Sequence, residues 1–244
     1  MPDTLRDTLR DTLAQGRALQ AQEKHAEALS FFEQAALDNP NSFESWFHLG
    51  YTLNRLKRYA EALPAHERAT TLVPTSAAAW VNESWALIAL RRYEEALAAC
   101  RRALALNPDD VIAWNNTGSA LIGLERYEDG LAACARALAL DPDNAIAWNN
   151  KGETLYWQGR FAAALAAYEA AVARDPHYVL AWTNRGISLI QLRRPEEAVG
   201  AFERALALEP GYYYAWANKS VALQQLGRTA EAQEAERRAR ELRW

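Results

Sequence analysis

The chain has 244 residues, half of them apolar and 24% charged, with a formal net charge of −4. That apolar share is enough to bury a continuous core, which excludes a disordered chain. Acidic and basic residues are interspersed and there is no basic excess to grip a phosphate backbone, so a nucleic-acid partner is not expected.

The first residues, Met1 to Arg10, carry two aspartates and no apolar run. Neither a secretory leader nor a membrane span is expected there, and the expected location is the cytoplasm. The run Asp3-Thr4-Leu5-Arg6, Asp7-Thr8-Leu9-Arg10, Asp11-Thr12-Leu13 reads as one helix that begins early, with residues 1–8 as an extension before the first repeat.

From residue 9 onward the chain is periodic. Pro40, Pro74, Pro108, Pro142, Pro176 and Pro210 each follow the last by 34 residues, a spacing that marks a repeat architecture. With each proline at repeat position 32, seven units run over 9–42, 43–76, 77–110, 111–144, 145–178, 179–212 and 213–244, as one solenoid over 1–244. Position 4 holds Trp46, Trp80, Trp114, Trp148, Trp182 and Trp216; position 8 is Gly or Ser; position 20 is Ala or Gly; position 27 is always alanine. Positions 4, 8 and 11 share one stripe of a first helix, and 20, 24 and 27 share one stripe of a second. Small residues let the two helices approach closely, while the indole is expected to fill the wider gap between them. Proline ends each second helix, and Asp109, Asp143 and neighbouring polar residues are placed to cap the next first helix.

The two ends depart from the pattern. Thr12 stands where later units have tryptophan, and the last unit puts Glu236 and Arg240 on positions that are mostly apolar elsewhere, as terminal caps facing water do. No separate solvating helix follows the last repeat, an arrangement that also fits the recognition or sensor part of a larger protein.

The pattern W-x-x-x-G-x-x-L, then A-x-x-x-aromatic-x-x-A, then P, resembles the tetratricopeptide repeat over residues 9–244. The resemblance implies an all-α fold, a right-handed superhelix of seven helix-turn-helix repeats whose concave face is lined by first helices. It also implies a non-enzymatic scaffold that recognises peptides, helices or folded partners there.

On a first helix the stripe opposite the packing face consists of positions 2, 6, 9 and 13. Position 6 is Asn82, Asn116, Asn150, Asn184 and Asn218 in five successive units. Asparagine inside a helix costs roughly 0.5 kcal/mol against alanine, so the column needs a compensating role. A ladder of carboxamides could pair with the backbone of an extended guest, as in the similar superhelix of the O-linked N-acetylglucosamine transferase; alternatively each amide bonds between adjacent helices. Beside it stand Phe47, Tyr51, Trp85, Tyr156 and Trp157, which form a candidate hot-spot patch, and Ile88, Ile122, Ile187 and Ile190. Position 2 runs Glu44, Ala78, Ile112, Ile146, Leu180, Tyr214, position 5 has no lysine and position 6 no arginine, so the family's carboxylate clamp for acidic chaperone tails is not expected. Arginine recurs at position 16, where Glu61 and Glu95 stand three residues after Arg58 and Arg92 as ion-pair partners.

No catalytic constellation is legible. His25, His48, His66 and His177 are scattered over different repeat positions without ligand spacing, and Cys100 and Cys134 share position 24 as small buried fillers. No metal and no cofactor are expected. The reading is a peptide-binding groove on the first helices, with self-association through an end or the concave face as the alternative.

Overall fold

A computed structural model describes residues 3–242, with side chains described from Leu9 onward. Among these residues the chain forms fourteen α-helices and no strand. They are α1 Asp3–Ala21, α2 His25–Asp38, α3 Phe43–Arg55, α4 Tyr59–Leu72, α5 Ala77–Ala89, α6 Tyr93–Leu106 and α7 Val111–Gly123. The rest are α8 Tyr127–Leu140, α9 Ala145–Trp157, α10 Phe161–Arg174, α11 Val179–Gln191, α12 Pro195–Leu208, α13 Tyr213–Gln225 and α14 Thr229–Glu241. Every first helix from α3 on starts at the residue the proline period predicts. The helices group into two compact units, one ending at Leu124 and the other starting at Glu125, so the division falls inside the repeat 111–144.

The columns explain the packing within a hairpin. Ala35, Ala69, Ala103, Ala137, Ala171 and Ala205, all at position 27, have no exposed surface. At position 8 the glycines meet large rings. A Cβ on Gly16 would lie 2.7 Å from the Phe32 ring, on Gly152 2.7 Å from Tyr168, and on Gly186 2.5 Å from Phe202. Position 24 thus supplies the filler and position 8 the space it needs, which is close packing achieved by size complementarity.

Each first helix ends in a left-handed residue at position 15. Glu23, Lys57, Arg91, Glu125 and Arg193 have φ of 58–60°, and Gly159 and Gly227 occupy the same place. In repeat 43–76 the Lys57 N–H donates to the Asn54 carbonyl and the Arg58 N–H to Leu53, the Schellman pattern. Arg58, next in the chain, forks onto Glu61 at 2.6 and 2.7 Å. Arg92–Glu95, Arg194–Glu197 and Arg228–Glu231 repeat the pairing, and Arg126 turns both nitrogens on Asp129. These exposed pairs order the turn and add little net stability, as the position-16 arginines led us to expect.

Two expectations are refined. The tryptophan column packs against the core as expected, with Trp80 buried and Trp46, Trp148, Trp182 and Trp216 against core clusters, and it also carries a regular hydrogen bond. Each indole N–H donates to the carbonyl of the proline six residues earlier, from Trp46 to Pro40 at 3.0 Å through Trp216 to Pro210 at 2.8 Å. Most of these indoles are half-buried, and several lie under cations, as Trp148 does under Lys151 and Arg174. The column staples each turn to the following helix. The caps fall on the neighbouring polar residues and not on Asp109 and Asp143 themselves. Ser42, Ser76, Asp110 and Asn144 accept from the N–H three residues on, whereas Asp109 and Asp143 point their own N–H groups back at the side chains of Asn107 and Asp141. An N-cap needs extended backbone, which falls on position 34 here.

Candidate functional site

The order of contacts identifies the inner wall of each unit. In the first unit α1 touches α3, α3 touches α5 and α5 touches α7; in the second α9 touches α11 and α11 touches α13. Within each unit, second helices of successive repeats show no such approach among the described residues. A stack whose first helices lie closer together than its second helices curves with the first helices inside. The stripe of positions 2, 6, 9 and 13 belongs to that wall in each unit.

Two members of the asparagine column, Asn116 and Asn184, bond across to the preceding first helix. Asn116 Nδ2 donates to Ser84 Oγ at 2.9 Å and to the Val81 carbonyl at 3.3 Å, both on the preceding first helix. Asn184 Nδ2 donates to Asn149 Oδ1 at 3.1 Å, again one repeat back. Asn218 bonds the Tyr214 carbonyl of its own helix at 2.8 Å, and Asn150 is buried. Asn82 alone of the five has a carboxamide without a hydrogen bond to any described residue, although its carbonyl accepts from Asn54 Nδ2 at 3.0 Å. The reason is proximity: first helices approach closely enough for a short amide to reach the neighbouring helix. Those bonds offset the poor helix propensity of asparagine. In Asn116 both amide hydrogens are committed, so what that side chain retains for a guest is its acceptor oxygen.

The aromatic residues separate into covered and open ones. Phe47 packs between Phe43 and His48, with ring centroids 5.4 Å from each, and Tyr51 meets His25 edge-on at 6.2 Å. Trp85 is half-buried. Tyr156 leans on the core around Leu155 and Tyr168 and contacts Phe161 at 5.2 Å. Trp157 is the open one, 58% exposed, its ring edge-on to Tyr156 at 5.6 Å. Ile122 and Ile190, at position 12, are buried.

Sequence reasoning placed position 2 on the inner stripe and noted that it lacks the bases of a carboxylate clamp, without singling out its residues as candidates. Position 2 carries exposed large apolar side chains in successive repeats: Ile112 at 60% in the first unit, and Ile146 at 50%, Leu180 at 38% and Tyr214 at 60% in the second. The signal was present in the sequence, because position 2 had already been placed on the inner stripe and holds apolar side chains where solvent alone would favour polar ones. At the start of the first unit, Leu9, Arg10, Leu13, Arg17, Ser42 and Glu44 help to line a hollow of about 460 Å³. Beside it the His48 imidazole is held below its ordinary pKa by burial and by the Arg17 guanidinium.

Both cysteines are buried thiols; burial pushes Cys134 up to about 12 and raises Cys100 as well, so neither carries thiolate character. No helix among the described residues is long and apolar enough to cross a membrane.

Family models described as tetratricopeptide repeat match residues 13–77, 81–145, 116–179, 179–212 and 201–234. No curated protein matches the chain. Among solved structures, a tetratricopeptide repeat protein from Parabacteroides merdae ATCC 43184 is 14% identical, with a TM-score of 0.77 over 98% of this chain and 94% of that one. PilW, described as a widely conserved type IV pilus biogenesis factor, is 25% identical, with a TM-score of 0.69 over 80% of this chain and 90% of that one. YrrB, described as a TPR protein with an unusual peptide-binding site, is 22% identical, with a TM-score of 0.50 over 75% of this chain and 95% of that one. Repeats of this kind build protein-interaction scaffolds, and the chain belongs to the tetratricopeptide repeat family.

Proposed function

We propose that the chain is a non-enzymatic cytoplasmic scaffold that holds an extended segment of a partner protein against the inner wall of first helices. The observation that carries this reading is the row of exposed apolar residues, Ile146, Leu180 and Tyr214, one per repeat, with Trp157 beside it. Isolated exposed apolar side chains need no explanation, but a row at one repeat position on one wall is a patch, and patches mark interaction sites. A guest whose own apolar residues follow the row would bury it. In the second unit Asn150, Asn184 and Asn218 contribute carboxamide groups along the same wall, with Tyr156 as partly covered ring surface behind them. In the first unit Asn82 and Asn116 contribute the carboxamides of its own wall, with Phe47, Tyr51 and Trp85 as its ring surface; where amide donors are committed, the oxygens remain as acceptors for a guest's N–H. YrrB, a similar structure, is described as having an unusual peptide-binding site, so peptide binding occurs on this fold.

The test is selection of phage-displayed random 12-residue peptides on the full chain, followed by binding of the enriched sequences to an Ile146→Asp, Leu180→Asp variant. Both side chains are exposed, so helix content by circular dichroism should be unchanged. Affinity should fall at least tenfold, since a buried apolar anchor is worth on the order of 1–3 kcal/mol. Unchanged affinity with an intact fold would overturn the reading. Growth of particle mass with concentration in light scattering, abolished by the same variant, would reassign the wall to self-association.

A further inference from the structure

In the three repeats of the second unit that lie wholly within it, positions 2, 6, 9 and 13 of the first helices hold only one charged residue, Glu153. It stands on α9 between Asn150 and Trp157, with the exposed Ile146 two turns before it. Its carboxyl is half-buried. The Trp157 indole favours its charged form, and its charge is felt by the phenols of Tyr168 and Tyr178, which it helps to raise. No basic side chain is among the groups that act on it.

The cations of these first helices are engaged elsewhere. They recur at position 7, on the flank turned towards the second helices. Lys151 lies over the Trp148 ring at 4.7 Å, Arg185 reaches Glu169 at 3.3 Å and Lys219 reaches Glu203 at 2.9 Å. The wall therefore presents one partly desolvated carboxylate without a cation, set in apolar and amide surface. Removing a carboxylate from water is unfavourable unless an opposite charge compensates it, and burial has already raised its pKa.

We propose that the guest of this wall carries a lysine or arginine flanked by apolar residues, and that its cation seats on Glu153. This rests on the peptide-binding reading above and specifies its ligand. A basic side chain suits the place in three ways. Its charge compensates the carboxylate; its methylene stem lies along Ile146 and its neighbours as snorkelling side chains do; and the open face of Trp157 offers a second attraction to the cation. An acidic residue in the same place would meet like charge and be rejected, which makes Glu153 a selectivity group as well as an anchor.

The experiment uses immobilised synthetic 11-residue peptide libraries with randomised flanks and a central lysine, arginine, norleucine or glutamate. Each is passed over the full chain and over its Glu153→Gln variant. On the wild type, lysine and arginine libraries should retain at least five times as much protein as the norleucine library, and glutamate the least. In Glu153→Gln the preference should fall to about one, with norleucine retention unchanged. Equal retention on norleucine and lysine by the wild type, or a lysine preference that survives in Glu153→Gln, overturns the basic guest and leaves the groove standing. Retention of wild type on none of the libraries overturns the groove and this proposal together.

Discussion

His66 offers a quantitative test of how the hairpins are packed. It occupies position 24 of repeat 43–76, where two other repeats have Phe32 and Phe202, and it is completely buried with its ring against Gly50. A Cβ on Gly50 would lie 2.5 Å from its Cε1. No well-formed hydrogen bond reaches either ring nitrogen, and the nearby Gly50 backbone offsets only part of the burial, which lowers the pKa from 6.5 to about 4. The folded state therefore binds this proton less tightly than the unfolded chain. The histidine's contribution is complete above about pH 6.5 and is lost progressively as the pH falls towards 4. Between pH 7.5 and 4.5 the loss amounts to about 2.5 kcal/mol, at 1.36 kcal/mol per pKa unit. The variant His66→Phe restores the ring that faces Gly16 and Gly186 in other repeats and cannot titrate. Urea unfolding of both proteins at the two pH values, followed by tryptophan fluorescence, measures the difference. The wild type should lose about 2.5 kcal/mol more than the variant, other titrating groups being common to both. A difference below about 0.5 kcal/mol would refute the claim that an uncharged, poorly partnered imidazole fills this core.

Two further outcomes follow from the packing. Gly186→Ala puts a methyl group 2.5 Å from the Phe202 ring in a close-packed hairpin; thermal denaturation should show a loss of about 1–3 kcal/mol, the usual range for overpacking. Pro64 lies inside α4 on its exposed side, where it removes a helical N–H and crowds the preceding turn. Pro64→Ala should raise stability by about 1–2 kcal/mol, less than the full helix penalty because proline also restricts the unfolded chain.

How much was legible in the sequence depended on whether a residue's role is local. Helix starts at Phe43, Ala77 and Val111, the pairing of Gly16 with Phe32, and the ion pairs of Arg58 and Arg92 all involve partners within one repeat. Periodicity alone therefore places them. The caps were narrowed to a pair of adjacent polar residues, such as Asp109 and Asp110, and no further, because which of them caps depends on where extended backbone falls in the turn. The tryptophans were read as filler, which their packing bears out, but the bond from each indole N–H to the carbonyl six residues back was not foreseen, because size alone does not reveal it. The five asparagines were read correctly as needing compensation, yet a sequence cannot say whether an amide meets a guest or the next helix.

The sequence by itself determined the repeat, the helix pairs and the small-to-large matching inside each hairpin, since these follow from spacing and side-chain volume. Only the tertiary structure decided which groups on the inner wall remain open. First helices of successive repeats come within reach of Asn116 and Asn184 and engage their amide donors, while the side chains at position 2 find no such neighbour and stay in solvent. That difference arises from the distance between helices one repeat apart, a quantity that the order of residues along either helix does not contain.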